Sequence, residues 1–162
     1  MPQSLAKNLI HLIFSTKNRD ACLTQAIRPQ LSAYQAGILQ EWDSPAIVIG
    51  GEVEHVHAWF MLSKNHAWCK VIEEVKKGSS KWLKMQGRAF TSFHWQNGYG
   101  AFSIGESQVR GVRRYIEEQA DHHRTRSFQE ELRLFRRRYG IDYDERYVWD
   151  RLRCCAPSGR AM

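Results

Sequence analysis

The spacing of apolar residues in this chain switches between two and nearly four several times, and the order of those switches constrains the fold more than any other feature. In Asn8-Leu9-Ile10-His11-Leu12-Ile13-Phe14-Ser15 the apolar set Ile10, Leu12 and Phe14 recurs with period two and predicts a strand, closed by the basic turn Thr16-Lys17-Asn18-Arg19. From Gln25 to Glu41, the residues Ile27, Leu31, Tyr34, Ile38 and Leu39 keep helical spacing, with Gly37 as the one blemish. Ala46-Ile47-Val48-Ile49-Gly50-Gly51 reads as a buried strand ended by two glycines, and His55 to Leu62 as its hairpin partner. Trp68 to Gln86 predicts a second amphipathic helix, interrupted near Gly78. Phe93-His94-Trp95 and then Tyr99 to Ile104 form a last strand and its approach.

Two helix starts follow. Ser103-x-x-Glu106 fits a capping box and opens a helix to about His123, and Ser127-Phe128-Gln129-Glu130 opens another that stops at Gly140. The order strand, helix, strand, strand, helix, strand predicts an α+β fold: a ferredoxin-like (RRM-like) antiparallel sheet with helices on one face, extended by C-terminal helices. Residues 1–150 are expected to form one domain, and the aperiodic stretch 151–162 a flexible tail.

A chain of 162 residues suits that single domain. Its longest apolar run, Ala58 to Leu62, falls far short of the roughly 18 residues that span a bilayer, so no membrane segment is expected. The N-terminus lacks the pattern of a secretory leader, which predicts a cytoplasmic protein. Cys22, Cys69, Cys154 and Cys155 show no C-x-x-C spacing and indicate neither a zinc ribbon nor a disulfide framework. The net charge of +7 and pI near 9.4 suit a polyanionic partner.

Alternation along His55-Val56-His57 puts both imidazoles on one face of their strand, about 6.5 to 7 Å apart, from where both can reach one ion. The same pattern also suits two plain surface histidines. On the helix after Val109, the residues Val109, Val112 and Ile116 form the buried stripe, and Tyr115 and Gln119 lie together along its edge at i, i+4. Arg110, Arg113 and Arg114 cluster on the opposite edge, suited to phosphate or to plain solvation.

These pieces sit among others in a specific order: Gly50-Gly51 before His55-Val56-His57, then Ser79-Ser80-Lys81-Trp82, Trp95-Gln96-Asn97-Gly98-Tyr99-Gly100, Tyr115-Ile116-x-x-Gln119 and His122-His123. Together with Phe14-Ser15-Thr16-Lys17-Asn18-Arg19 and Gly140-Ile141-Asp142-Tyr143, they closely resemble the single-tyrosine HUH transposases of bacterial insertion sequences, over about residues 5 to 150. The resemblance implies a bacterial DNA transposase that cuts and rejoins single strands at the ends of its mobile element. By position it makes Tyr115 the nucleophile, carried on a C-terminal helix, and His55, His57 and Gln119 the ligands of a divalent metal, Mg2+ or Mn2+. It implies recognition of hairpins in single-stranded DNA, and a homodimer. The sequence departs from the family's usual look at Ala58-Trp59-Phe60-Met61 and Lys64-Asn65-His66.

Such an enzyme needs a basic track and stacking surfaces for a single strand. Lys17, Arg19, Lys81, Lys84 and Arg88, with Arg110 and Arg114, supply candidate charge, and Trp59, Trp82 and Trp95 candidate stacking, although most of these tryptophans suit the core better. The alternative reading is a non-catalytic single-stranded nucleic-acid-binding protein on the same fold. A third is a metal hydrolase that uses water and forms no protein–DNA adduct.

Overall fold

The computed structural model describes residues 4–118 and 127–142. Strand β1 (Asn8–Ser15) lies at the middle of a four-stranded antiparallel sheet in the order β2-β3-β1-β4. Its partner β3 (His55–Leu62) pairs with it from Asn8 opposite Leu62 to Ser15 opposite His55. On the outer side of β3 runs β2 (Ala46–Gly51), joined to it by the expected hairpin, with a register shift between Ala46 and Val48. The short β4 (Gly100–Ser103) pairs with the other side of β1. This is the predicted ferredoxin-like order.

The two-residue period sorts the side chains cleanly. Ile10, Leu12 and Phe14 of β1 and Val56, Ala58 and Phe60 of β3 bury themselves under α1 (Ile27–Glu41) and α2 (Trp68–Lys84), with Leu31, Leu39, Val71, Ile72 and Leu83 from the helices. Among the described residues, sixteen buried ones form this larger core. Helix α2 runs through Gly78 without the expected interruption. That glycine is a contact point: a Cβ there would stand 2.7 Å from Cδ1 of Ile38, so its bareness lets α1 and α2 pack closely.

The opposite sheet face is covered too. It carries Leu9, His11 and Ile13 of β1, His55, His57 and Trp59 of β3, and Phe102 of β4. Over it lie α3 (Val109–Glu117), through Val112 and Ile116, and α4 (Phe128–Tyr139), through Phe128 and Phe135. The start of α3 differs from the Ser103-x-x-Glu106 box. Ser103 ends β4, and the reciprocal pair is Gly105 with Gln108: the Gly105 N–H donates to Gln108 Oε1 (3.1 Å) and the Gln108 N–H to the Gly105 carbonyl (2.9 Å). A 3-10 turn, Glu106–Gln108, therefore precedes the helix.

The second box stands as expected. The Ser127 N–H donates to Glu130 Oε2 (2.8 Å), the Glu130 N–H to Ser127 Oγ (3.4 Å), and Gly140 ends α4 in the left-handed region at φ 62°. The rest of the helix expected to reach His123, with Gln119, and the expected tail 151–162 lie outside the described residues. Among the described residues no helix is long and apolar enough to cross a membrane, and Cys22 and Cys69 are free thiols.

Candidate metal and nucleophile site

Both histidines of the β3 face are wholly buried, with none of the exposure of a surface strand. Ser15 faces His55 across the ladder and Ile13 faces His57, so the two imidazoles project between α3 and α4. Phe128 of α4 stacks on His55 with centroids 4.6 Å apart, and one turn later Glu131 brings its carboxylate between the rings. Its Oε2 is 3.8 Å from His55 Nε2, and its Oε1 is 3.6 Å from His57 Nε2.

These three residues offer donor atoms that all lie within 4.8 Å of one another. Ligands on one ion at about 2.1 Å stand roughly 3 to 3.5 Å apart, so a modest contraction would seat a cation. The electrostatics agree. Burial pushes the Glu131 carboxyl up from 4.5 to about 8, so at neutral pH it holds a proton that a cation at the same place would displace. Two imidazoles and a carboxylate therefore fit a divalent metal.

Tyr115 reaches the same place from α3. Its ring centroid is 5.7 Å from that of His57 in an edge-on arrangement, and 5.4 Å from Phe135. What lets α3 come so near is Gly50 on β2: a Cβ there would meet the Ile116 carbonyl oxygen at 2.8 Å. Tyr115 and Glu131 line one cavity of about 540 Å³ between α3 and α4, with His11 on its floor and the exposed Ser107 and Arg138 at its margin. That volume admits a nucleotide unit.

Sequence reasoning did not single out His11 or Glu131. His11 is fully buried, and its Nε2 lies 2.9 Å from Nδ1 of His57, a diagonal contact across the β1–β3 ladder. Burial first, and then the neighbouring His57, hold its pKa well below 6.5. The signal for it was a histidine flanked by Leu9 and Ile13 on the second face of β1. For Glu131 the signal was a carboxylate three residues after Phe128 and four before Phe135, in the middle of an apolar stripe.

The predicted DNA-contact residues divide into two groups. Lys17 and Arg19 lie on the turn after β1, where the Lys17 N–H donates to the His94 carbonyl (2.9 Å). Lys84 Nζ is 3.4 Å from His94 Nε2, and Ala89, next to Arg88, lines the same polar hollow of about 260 Å³ as Lys17. Lys81 sits one turn earlier on α2. Arg110 and Arg114 are elsewhere, on the exposed side of α3. Trp59 and Trp95 are core residues with no open stacking face, and Trp82 stacks half-buried on Tyr34.

A family profile described as Transposase IS200 like matches residues 4–119. No curated protein matches the chain in sequence. Two solved structures share its fold, each with a TM-score of 0.58. One is a protein of Deinococcus radiodurans R1 assigned as a transposase, 18% identical, covering 74% of this chain and 98% of its own. The other is a REP-associated tyrosine transposase bound to a REP hairpin, 15% identical, covering 76% of this chain and 73% of its own.

Proposed function

Because the chain belongs to the IS200-like transposase family, we propose that it cuts and rejoins single-stranded DNA at the ends of a mobile element through a 5′-phosphotyrosine on Tyr115. The observation that carries this reading is the Tyr115 ring, 5.7 Å from His57, sharing a cavity with Glu131. The candidate nucleophile and one candidate ligand, Glu131, thus line one space that admits a nucleotide unit.

His55, His57 and Glu131 would hold a divalent ion, with Gln119, which lies outside the described residues, as a further ligand. When bound, such an ion supplies Lewis-acid polarisation of a non-bridging phosphate oxygen. Two imidazole donors favour manganese over magnesium. Tyr115 Oη attacks phosphorus, loses its proton and forms the aryl phosphate ester. The P–O3′ bond breaks, and the departing 3′-oxygen leaves as a hydroxyl after gaining a proton. A free tyrosine is ionised only to about one part in a thousand at pH 7, so the attack needs a nearby cation, and Arg138 lines the same cavity. Because an aryl ester carries a better leaving group than an alkyl one, another 3′-hydroxyl reverses the attack and joins strands without an external energy source.

The DNA partner is a single strand, with hairpins at the element ends as the recognised form. The complex of the REP-associated relative with a hairpin supports that choice. Lys17, Arg19, Lys81, Lys84 and Arg88 would track its phosphates on one side, and Arg110 and Arg114 on another. One nucleophile per chain against two element ends makes the working unit a homodimer. Residues 1–150 are read as one HUH domain, residues 151–162 as a tail, and the cytoplasm as the place where the protein meets its DNA.

Incubation with labelled single-stranded DNA carrying candidate element ends, with and without Mn2+, tests the reading. A metal-dependent covalent adduct on a denaturing gel is expected. Binding without adduct would favour the non-catalytic reading, and cleavage without adduct the hydrolase.

A further inference from the structure

The buried His11 has no place in the proposed reaction, yet it lies in hydrogen-bond contact with His57, a proposed ligand of the site. Its Nε2 stands 2.9 Å from Nδ1 of His57, the two rings lie nearly parallel with centroids 5.1 Å apart, and Phe135 packs edge-on against it at 5.2 Å. Its Nδ1 is buried with no hydrogen-bond partner among the described residues. The position is therefore set by packing on one side and by a single polar contact on the other.

That contact has two forms. A neutral imidazole carries one proton, so either His11 Nε2–H donates to His57 Nδ1, or His57 Nδ1–H donates to His11 Nε2. The first leaves the His57 proton on Nε2, the nitrogen that faces Glu131, and a protonated nitrogen cannot ligate. The second puts a lone pair on Nε2 and aims it at the ligand cluster. A ligand histidine is commonly fixed in its tautomer by the acceptor its other nitrogen meets, and here the group in that place is the imidazole of His11.

We propose that His11 is a positioning residue that accepts the Nδ1 proton of His57 and so holds His57 in the tautomer able to bind metal through Nε2. The inference rests on the metal-site reading of His55, His57 and Glu131. It also accounts for a polar side chain between the apolar Leu9 and Ile13 on β1. An aliphatic residue at position 11 would fill the space but leave the His57 N–H buried without an acceptor, so His57 would turn its proton to the other nitrogen. A glutamine would place its amide oxygen near the former Nε2 and restore the acceptor.

The test uses the whole protein and its His11→Leu, His11→Gln and His57→Ala variants, with Mn2+ alone as the metal probe. Long-range 1H–15N NMR of the metal-free, 15N-histidine-labelled protein should show the His57 proton on Nδ1, and His11→Leu should move it to Nε2. Mn2+ affinity by titration calorimetry should fall about 10- to 100-fold in His11→Leu and recover in His11→Gln. A His57 proton on Nε2 in the parent, or His11→Leu binding Mn2+ as tightly as the parent, would overturn the proposal. If His11→Leu does not fold, the parent's tautomer and the affinity of His11→Gln decide, with a glutamine variant no tighter than His57→Ala counting against it. A parent that binds Mn2+ no better than His57→Ala would instead refute the metal-site reading, while the tautomer measurement would still judge the role of His11.

Discussion

The Glu131 carboxylate on α4 stands 3.6 Å from the Nε2 of His57 on β3, although 74 positions of sequence separate the two residues. This pairing ties α4 to β3, and burial of Glu131 in that place raises its carboxyl to about 8. In the metal-free protein the folded state keeps the Glu131 proton up to about pH 8, whereas an ordinary glutamate loses it near 4.5. Between those values the folded state holds more protons than the unfolded one, so metal-free stability falls as pH rises through the window. Metal affinity has the opposite sign: it should rise about tenfold per unit over the pH unit below about 8. In Glu131→Gln, Mn2+ affinity should drop at least about tenfold, and that pH slope should flatten, as read by calorimetry at several pH values.

Gly50 predicts a steric effect at a distance from the chemistry. Glycine replaced by alanine forces a Cβ to within 2.8 Å of the Ile116 carbonyl oxygen, a backbone atom that can retreat only if α3 moves. Gly50→Ala should therefore lower stability by about 1–3 kcal/mol and reduce adduct formation more than it reduces DNA binding. Denaturant melts and gel assays on the same preparation check both parts.

Lys76 fastens the loop before β4. Its Nζ donates to the carbonyl oxygens of Gln96 (2.6 Å), Asn97 (2.9 Å) and Gly98 (3.1 Å), and Gln96 in turn accepts from Ser15 Oγ (2.6 Å), opposite His55 in the ladder. Lys76→Met keeps the stem and removes the charge. It should cost about 2 kcal/mol and speed hydrogen exchange in residues 96 to 99.

The basic residues near His94 predict a salt effect. Each phosphate neutralised on a single strand adds about 0.7 to the slope of log affinity against log salt. Replacing Lys17, Arg19, Lys84 and Arg88 with glutamine should therefore reduce that slope by up to about 3. The parent should prefer a single-stranded hairpin to a plain duplex of the same length, measured by fluorescence anisotropy across a salt series.

The sheet was legible because period two is hard to counterfeit: Ile10, Leu12 and Phe14 fixed the inner face of β1, and His55 and His57 fell on the outer face of β3 with no ambiguity of register. The Ser127–Glu130 box was equally plain, since both of its hydrogen bonds are local. Gly78 misled because a glycine in a helix costs the same on paper whether it breaks the helix or makes room for Ile38, and only the neighbouring helix distinguishes the two. The box at Ser103 failed because β4 claimed that serine for its own ladder. Glu131 and His11 stayed hidden for a related reason. Each belongs to the site only through long-range packing, and neither lies at a short spacing from His55, His57 or Tyr115.

The phenol of Tyr115 is the proposed attacking group, and peptide analysis of the covalent adduct identifies the residue that carries the DNA. Mass spectrometry of the parent, after reaction with single-stranded element-end DNA and Mn2+, should place the nucleotide remnant on the peptide containing Tyr115. Tyr115→Phe, which keeps the ring against His57 and Phe135, should bind the same DNA with near-parental affinity and give no adduct. A remnant on Tyr99, Tyr139, Tyr143 or Tyr147, or adduct formation that persists in Tyr115→Phe, would rule out Tyr115 as the nucleophile.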